Sequence, residues 1–286
     1  MSRMSLADEI ASVKALSHKL GLGAVEPCII KAAHHTTFRL APLPLVARVQ
    51  SSEPLDVALQ LADREILVTR HLAASDAPAI APSTTLAGPH RVGLAVTTLW
   101  PLLSHARPAE ESEIVLAASA LRAVHGALMG FHTPLPPFTD ALDDCFALLA
   151  NDQACAALST ADRTLLTAAF HRLRAKIDAI ALTWQPLHGD AHLGNCLVHD
   201  HRPIWIDFED ACLGPREYDI ACLPSEAWPL FADLDRALIE DFAHMRSVCV
   251  AVWCWADLTR SAEAREAALY HLQRVRNFDA DFAPID

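Results

Sequence analysis

Residues 187–195, Leu187-His188-Gly189-Asp190-Ala191-His192-Leu193-Gly194-Asn195, and residues 204–210, Ile204-Trp205-Ile206-Asp207-Phe208-Glu209-Asp210, form the densest concentration of polar groups in apolar surroundings in the chain. Between and within them, Cys196–His199 and Ile204–Phe208 read as two strands joined by the turn Asp200-His201-Arg202-Pro203. A hairpin returns to where it began, so a loop ending at Asn195 and a strand ending at Asp207 set an amide oxygen beside a carboxylate. Both are hard donors of the kind magnesium takes, with water and substrate phosphates filling its other positions. Asp190, five residues before Asn195, need not bind the metal and is free to accept a proton from an attacking hydroxyl. A second reading uses the same residues. His188-x-Asp190-x-His192 on an alternating strand would offer nitrogen and oxygen ligands to zinc for a hydrolase, although the glycines before Asp190 and Asn195 favour a tight loop over a strand.

The D-x4-N spacing, the hairpin and the apolar-apolar-Asp strand end resemble the catalytic and metal segments of protein-kinase-like enzymes. His188-Gly189-Asp190, His192, Asn195 and Ile206-Asp207-Phe208-Glu209-Asp210 are similar, more specifically, to the aminoglycoside phosphotransferase and choline kinase superfamily, and Gly214-Pro215 with Tyr218-Asp219-Ile220-Ala221 extends the match to residue 221. The resemblance implies a two-lobed protein-kinase-like α+β fold. Residues 1–98 would be a small antiparallel-sheet lobe covering the nucleotide, and residues 99–286 a mainly helical lobe for catalysis and the acceptor. It implies a kinase that moves the γ-phosphoryl group of ATP or GTP, with Mg2+, onto a small-molecule hydroxyl. Asp190 would be the base, and Asn195 and Asp207 the magnesium ligands. Arg48, with Glu65 as its ion-pair partner, would hold the nucleotide phosphates. His188 and Asp219 would brace the catalytic loop, and the backbone of Thr97–Trp100, including Thr98 and Leu99, would hold the purine. One departure stands out: no glycine lies between Gly23 and Gly88, so the phosphate-covering turn His34-His35-Thr36-Thr37 would work through Thr36 and Thr37 hydroxyls and main-chain amides. A kinase-fold protein that binds nucleotide without catalysis is the alternative of another class; the retained Asp190, Asn195 and Asp207 argue against it.

Working outward, residues 6–20 carry Leu6, Ile10, Val13, Leu16 and Leu20 at helical spacing behind a Ser5 cap, an amphipathic helix and not a signal peptide. Cys28–Ala33, Phe38–Leu40 and Pro44–Gln50 read as strands, Leu55–Ala73 as a helix and Val92–Leu99 as a further strand. Glu111–Met129, Asp162–Leu182 and the region from Glu226 read as helical. Sheet plus one helix in front and helices plus one hairpin behind make a two-lobe α+β plan.

Composition narrows the remaining choices. The chain is 52% hydrophobic and carries a net charge of −12, with 35 acidic against 23 basic residues, which argues against a nucleic-acid partner. The charge is uneven: residues 1–100 sum to +1 and residues 101–286 to −13. That acidic remainder suggests a cationic acceptor such as an aminoglycoside, amino sugar or amino alcohol, with Glu209, Asp210, Trp253 and Asp257 as candidate contacts. Trp253 and Trp255 suit either a cation cage or helix core, and their i, i+2 spacing favours core. Eight cysteines without a C-x-x-C pair read as reduced core residues, and no apolar run reaches the ~20 residues of a membrane span. These features suggest a cytoplasmic protein away from membranes.

Overall fold

The computed structural model describes residues 4–32, 35–258 and 262–280; His34 of the proposed phosphate turn lies outside them. The first part of the chain runs α1 (Leu6–Lys19), β1 (Glu26–Ala32), β2 (Thr36–Ala41), β3 (Leu45–Gln50), α2 (Leu55–Ala74), β4 (His90–Val92), β5 (Ala95–Pro101), β6 (Arg107–Pro108) and α3 (Ile114–Leu128). Then follow α4 (Phe138–Ala150), α5 (Thr160–Asp178), β7 (Gln185–Leu187), β8 (Cys196–His199), β9 (Arg202–Trp205) and β10 (Cys212–Gly214). The last helices are α6 (Arg216–Ile220), α7 (Arg236–Ala256) and α8 (Ala262–Ala280). The elements divide into two compact units: the chain up to Thr133 with His192–Ala211, and Pro134–Ala191 with the chain from Cys212.

In the first unit, β1-β2-β3-β5-β4 form one antiparallel sheet. Side chains alternate across a strand, so β3 and β5 serve two faces at once. Phe38, Leu40, Ala47, Val49 and Leu99 pack with Val13 of α1 in one core cluster, while Val46 and Trp100 pack with Ile66 of α2 in another. The Ser5 hydroxyl accepts the Asp8 N–H at 3.2 Å and starts α1. Residues β6, β8 and β9 form a separate small sheet, and the Trp205 indole is fully buried with its N–H donated to the Ala117 carbonyl of α3 at 3.2 Å.

The second unit is built on α7, whose Leu238, Phe242, Met245, Val248, Cys249 and Val252 are buried. Phe138 of α4, Tyr218 of α6 and Phe242 form a triangle of rings with centroids 5.2–5.6 Å apart. The β7–β10 pair approaches this triangle so closely that a Cβ on Gly214 would lie 2.9 Å from the Phe138 ring and 3.1 Å from Leu187.

Three local details differ from the sequence reading. The return strand of the hairpin ends at Trp205, not near Phe208, because Asp207 adopts φ +70°, outside the strand region. Thr36 and Thr37 belong to β2 instead of a turn. Phe138–Ala150, to which the sequence reading assigns no element, is an amphipathic helix that buries Phe138, Leu142, Cys145 and Leu149 and leaves Asp140, Asp143 and Asp144 on the outside.

Candidate active site

In the first unit the hairpin brings two of the expected residues together. The Ile206 N–H donates to the Asn195 carbonyl at 2.9 Å, directly beyond the Cys196–Trp205 strand pair, so Asn195 and the Asp207 turn share one end of β8 and β9. Arg48 of β3 joins them. Its Nη1 lies 2.6 Å from Glu65 Oε1, and its Nη2 lies 2.5 Å from Asp207 Oδ1 and 3.2 Å from Glu209 Oε1. Glu65 of α2 also accepts the backbone N–H of Phe208. The Arg64 guanidinium donates to the Glu209 carbonyl at 2.8 Å, and His35 Nε2 meets Glu209 Oε1 at 2.7 Å. Two successive residues of α2 therefore fasten the Asp207–Glu209 turn to that helix.

The electrostatics of this cluster follow from its inventory. Glu65, Asp207 and Glu209 surround one arginine. Burial pushes the Glu65 carboxyl up to about 8; Arg48 opposes the shift, and the neighbouring carboxylates of Asp207 and Glu209 add to it. Crowded carboxylates raise one another's proton affinity, and a divalent cation relieves the same repulsion. The donors nearest the hairpin end, a carboxylate at Asp207 and an amide at Asn195, are the hard oxygens that magnesium takes. A small cavity beside Arg48 is lined by His35, Gln50, Glu65, Thr98 and Glu209, and the Gln50 Nε2 is buried there without a partner among the described residues. An unpaired buried donor is costly, and a polar ligand would satisfy it. The oxygen donors of Asn195 and Asp207, in this carboxylate-rich surrounding, fit a divalent cation.

In the second unit Asp219 is fully buried and holds the loop that carries Asp190. Its Oδ2 accepts the His188 N–H at 2.8 Å and its Oδ1 accepts the Gly189 N–H at 2.9 Å. Gly189 sits at φ +90°, a conformation glycine reaches without cost, which lets successive N–H groups converge on one carboxylate. The His188 ring is also fully buried, and its Nδ1 accepts the Asp190 N–H at 3.3 Å. A ring used inward in this way supports the loop. Among the described residues no group of three or more His, Cys, Asp or Glu is arranged to hold a metal, which leaves the zinc reading of His188, Asp190 and His192 without a ligand set.

Other candidates fall in different places. Thr36 is fully buried in β2, and Thr37 lies opposite Arg48 across the β2–β3 ladder. Thr98 lines the Arg48 cavity and its hydroxyl accepts the Trp100 indole N–H at 2.8 Å. Leu99 is core, and its N–H donates to the Ala87 carbonyl at 2.9 Å, so this strand amide is already used. Glu209 belongs to the Arg48 cluster; Trp253 lines a cavity within the helical unit; Asp257 ends α7; Asp210 is exposed. Sequence reasoning did not find Arg64, Gln50, the His35–Glu209 pair, or Arg246, whose Nη2 lies 2.8 Å from Asp190 Oδ1. Each depends on contacts between distant parts of the chain and has no local spacing signal.

The antiparallel five-stranded sheet followed by a mainly helical part, with a D-x4-N loop and a hairpin ending in Asp207, defines an α+β protein of the kinase-like phosphotransferase class. The chain belongs to the phosphotransferase enzyme family, whose sequence profile matches residues 32–263. Comparison with curated protein sequences gives no significant match. Among solved structures, a choline/ethanolamine kinase family protein from Mesorhizobium loti superposes with a TM-score of 0.68 at 15% identity, over 96% of this chain and 94% of the other. A choline kinase from Streptococcus pneumoniae gives 0.69 at 11% identity, over 93% and 98%. The GDP complex of an aminoglycoside 2'-phosphotransferase gives 0.67 at 15% identity, over 96% and 100%. At these identities the likeness is one of fold.

Proposed function

We propose that this protein is a magnesium-dependent kinase that transfers the γ-phosphoryl group of ATP or GTP to a hydroxyl group of a small molecule. The observation that carries the reading is the junction of Asn195 and Asp207 at one end of a hairpin, tied to the Arg48–Glu65 pair in a pocket with an excess of carboxylates. The nucleotides bound in solved relatives, GDP in an aminoglycoside phosphotransferase and AMP-PNP in an amicoumacin kinase, support a nucleotide as donor.

Asn195 and Asp207 would hold the metal, which supplies charge neutralisation on the polyphosphate. Arg48, set by Glu65, carries positive charge to the same region, and the turn bearing Asp207 is held in place by Arg64 and Glu65. Asp190, braced through the Asp219 clamp, orients the acceptor hydroxyl and takes its proton as the hydroxyl oxygen bonds to the γ-phosphorus. The bond from the γ-phosphorus to its bridging oxygen breaks, and its electron pair leaves with the nucleoside diphosphate. Positioning and charge supply most of the rate in such a reaction, so loss of Asp207 should cost as much as loss of Asp190.

A coupled assay of diphosphate release, run with ATP and with GTP over a panel of hydroxyl acceptors, tests the proposal. Asp207→Ala, Asn195→Ala and Asp190→Asn should each lower kcat by about 10^3-fold. Wild-type turnover by Asp207→Ala would end it.

A further inference from the structure

Arg246 stands in α7 where apolar packing alone would not put it. Ile239, Phe242, Arg246, Cys249 and Trp253 follow one another at steps of three and four, so they lie along one face of the helix. Ile239, Phe242 and Cys249 are buried, and Leu142, Tyr218 and Cys222 pack beside the arginine. A charged group on such a face is expensive, and an apolar side chain of similar volume serves stability as well or better. The guanidinium meets Asp190 there: Nη2 lies 2.8 Å from Oδ1, with the two side chains 22% and 29% exposed. The Asp219 clamp acts on the backbone of the Asp190 loop, through the His188 and Gly189 N–H groups, and His188 Nδ1 accepts the Asp190 N–H. Those bonds fix the main chain. The rotamer of the carboxylate is set by what the carboxylate touches, and Arg246 grips it. The groups that face this pair come from three elements. On α6, Asp219 is engaged with the loop amides, and burial raises the Tyr218 hydroxyl well above its ordinary value; just beyond α6, burial pushes the Cys222 thiol up to about 12. On α8, burial, Arg246 and Arg274 push His271 down to about 4. Near neutral pH, Tyr218, Cys222 and His271 are therefore uncharged, and the guanidinium meets Asp190 as a full charge.

We propose that Arg246 is the positioning residue of the catalytic carboxylate: its guanidinium fixes the rotamer of Asp190 and keeps it ionised, touching neither acceptor nor nucleotide. This rests on the kinase reading, with Asp190 as the base. A hydrogen bond and an opposite charge both favour the ionised form of a carboxyl group, and only that form can take a proton from the acceptor hydroxyl. The guanidinium is planar and held by the packing of its stem, so it sets direction as well as charge. The proton that leaves the hydroxyl ends on Asp190, and Arg246 is unchanged.

Two measurements on wild type, Arg246→Gln and Arg246→Lys test the proposal. The first needs no acceptor: protein labelled with carbon-13 at the aspartate carboxyl groups is titrated by NMR, with the Asp190 signal assigned from its loss in Asp190→Asn. Its midpoint should rise by about 1–2 pH units in Arg246→Gln and stay within about half a unit of wild type in Arg246→Lys, which keeps the charge. The second is turnover with the acceptor found by the diphosphate-release panel. There kcat should fall about 50-fold in Arg246→Gln and about 5-fold in Arg246→Lys, with the nucleotide Kd from calorimetry unchanged within about twofold. The acid limb of kcat/KM should move with the NMR midpoint. An unmoved midpoint in Arg246→Gln, wild-type kcat in that variant, or a lysine variant no better than the glutamine one would overturn the proposal. Thermal melting identifies a glutamine variant that fails to fold; Arg246→Lys then decides, and wild-type kcat or a raised midpoint in it would overturn the proposal. The two levels fail differently. Wild type that binds no nucleotide removes the kinase reading, whereas wild type that turns over and is matched by both Arg246 variants removes the positioning role alone.

Discussion

Replacing Asp219 should loosen the loop that carries Asp190, and the size of the effect can be worked out bond by bond. The carboxylate is fully buried and accepts two successive backbone N–H groups, from His188 at 2.8 Å and Gly189 at 2.9 Å. Hydrogen bonds to a charged acceptor contribute roughly 1.5–3 kcal/mol each, and a buried donor left unpaired costs about 1–3 kcal/mol. Asp219→Ala removes both acceptors, so a loss of about 4 kcal/mol is expected. Asp219→Asn keeps one acceptor oxygen but turns an NH2 group toward the second N–H, and about 2 kcal/mol should be lost. Unfolding in urea and hydrogen exchange at the two amides read this together. The His188 and Gly189 amides should exchange slowly in wild type and rapidly in Asp219→Ala, with kcat down about 100-fold, since small displacements of a positioned group are costly. If Asp219→Ala lost less than about 1 kcal/mol and both amides kept their protection, the clamp would not be what holds this loop.

Three further outcomes are expected. Arg48→Met should lower stability by about 3 kcal/mol in urea unfolding, because it strands the Glu65, Asp207 and Glu209 carboxylates together, and magnesium should recover part of the loss. Gly214→Ala should cost about 2 kcal/mol by thermal melting, since its Cβ would press on Phe138 and Leu187 at 2.9 and 3.1 Å. Burial holds the folded-state pKa of His271 near 4 against an ordinary 6.5, so the folded state binds fewer protons between those values and loses stability as pH falls through that window. After allowance for partial exposure the loss is about 2 kcal/mol, and His271→Phe should flatten the dependence in urea melts at pH 4–7.

The elements legible in the sequence are those whose signal is local. The period-2 pattern of residues 44–50 is β3, and the leucines of 55–73 are α2, because a sheet face and a helix stripe each impose a spacing that can be counted. The D-x4-N loop and the hairpin were readable for the same reason. Residues 138–150 were harder, because Asp140, Asp143 and Asp144 are interspersed among the buried Phe138, Leu142, Cys145 and Leu149 that carry the helix. The strand end at Asp207 was misjudged because a left-handed residue interrupts an otherwise apolar β pattern, and aspartate is one of the few side chains that tolerate it.

Net charge shows the same division at the level of function. A value of −12 belongs to the whole chain, whereas a bound molecule responds to charges within about 10 Å. The sequence alone determined which chemical groups are present and in what local order: Asp190, five residues on Asn195, then a hairpin, then Asp207 and Glu209. The tertiary structure decided their company. Packing of α2 and β3 gives Asp207 and Glu209 to Arg48, and packing of α7 gives Asp190 an arginine. Such pairings depend on where whole helices come to rest on their cores, and burial of apolar side chains spread over many turns sets that, not the spacing of the charged residues themselves.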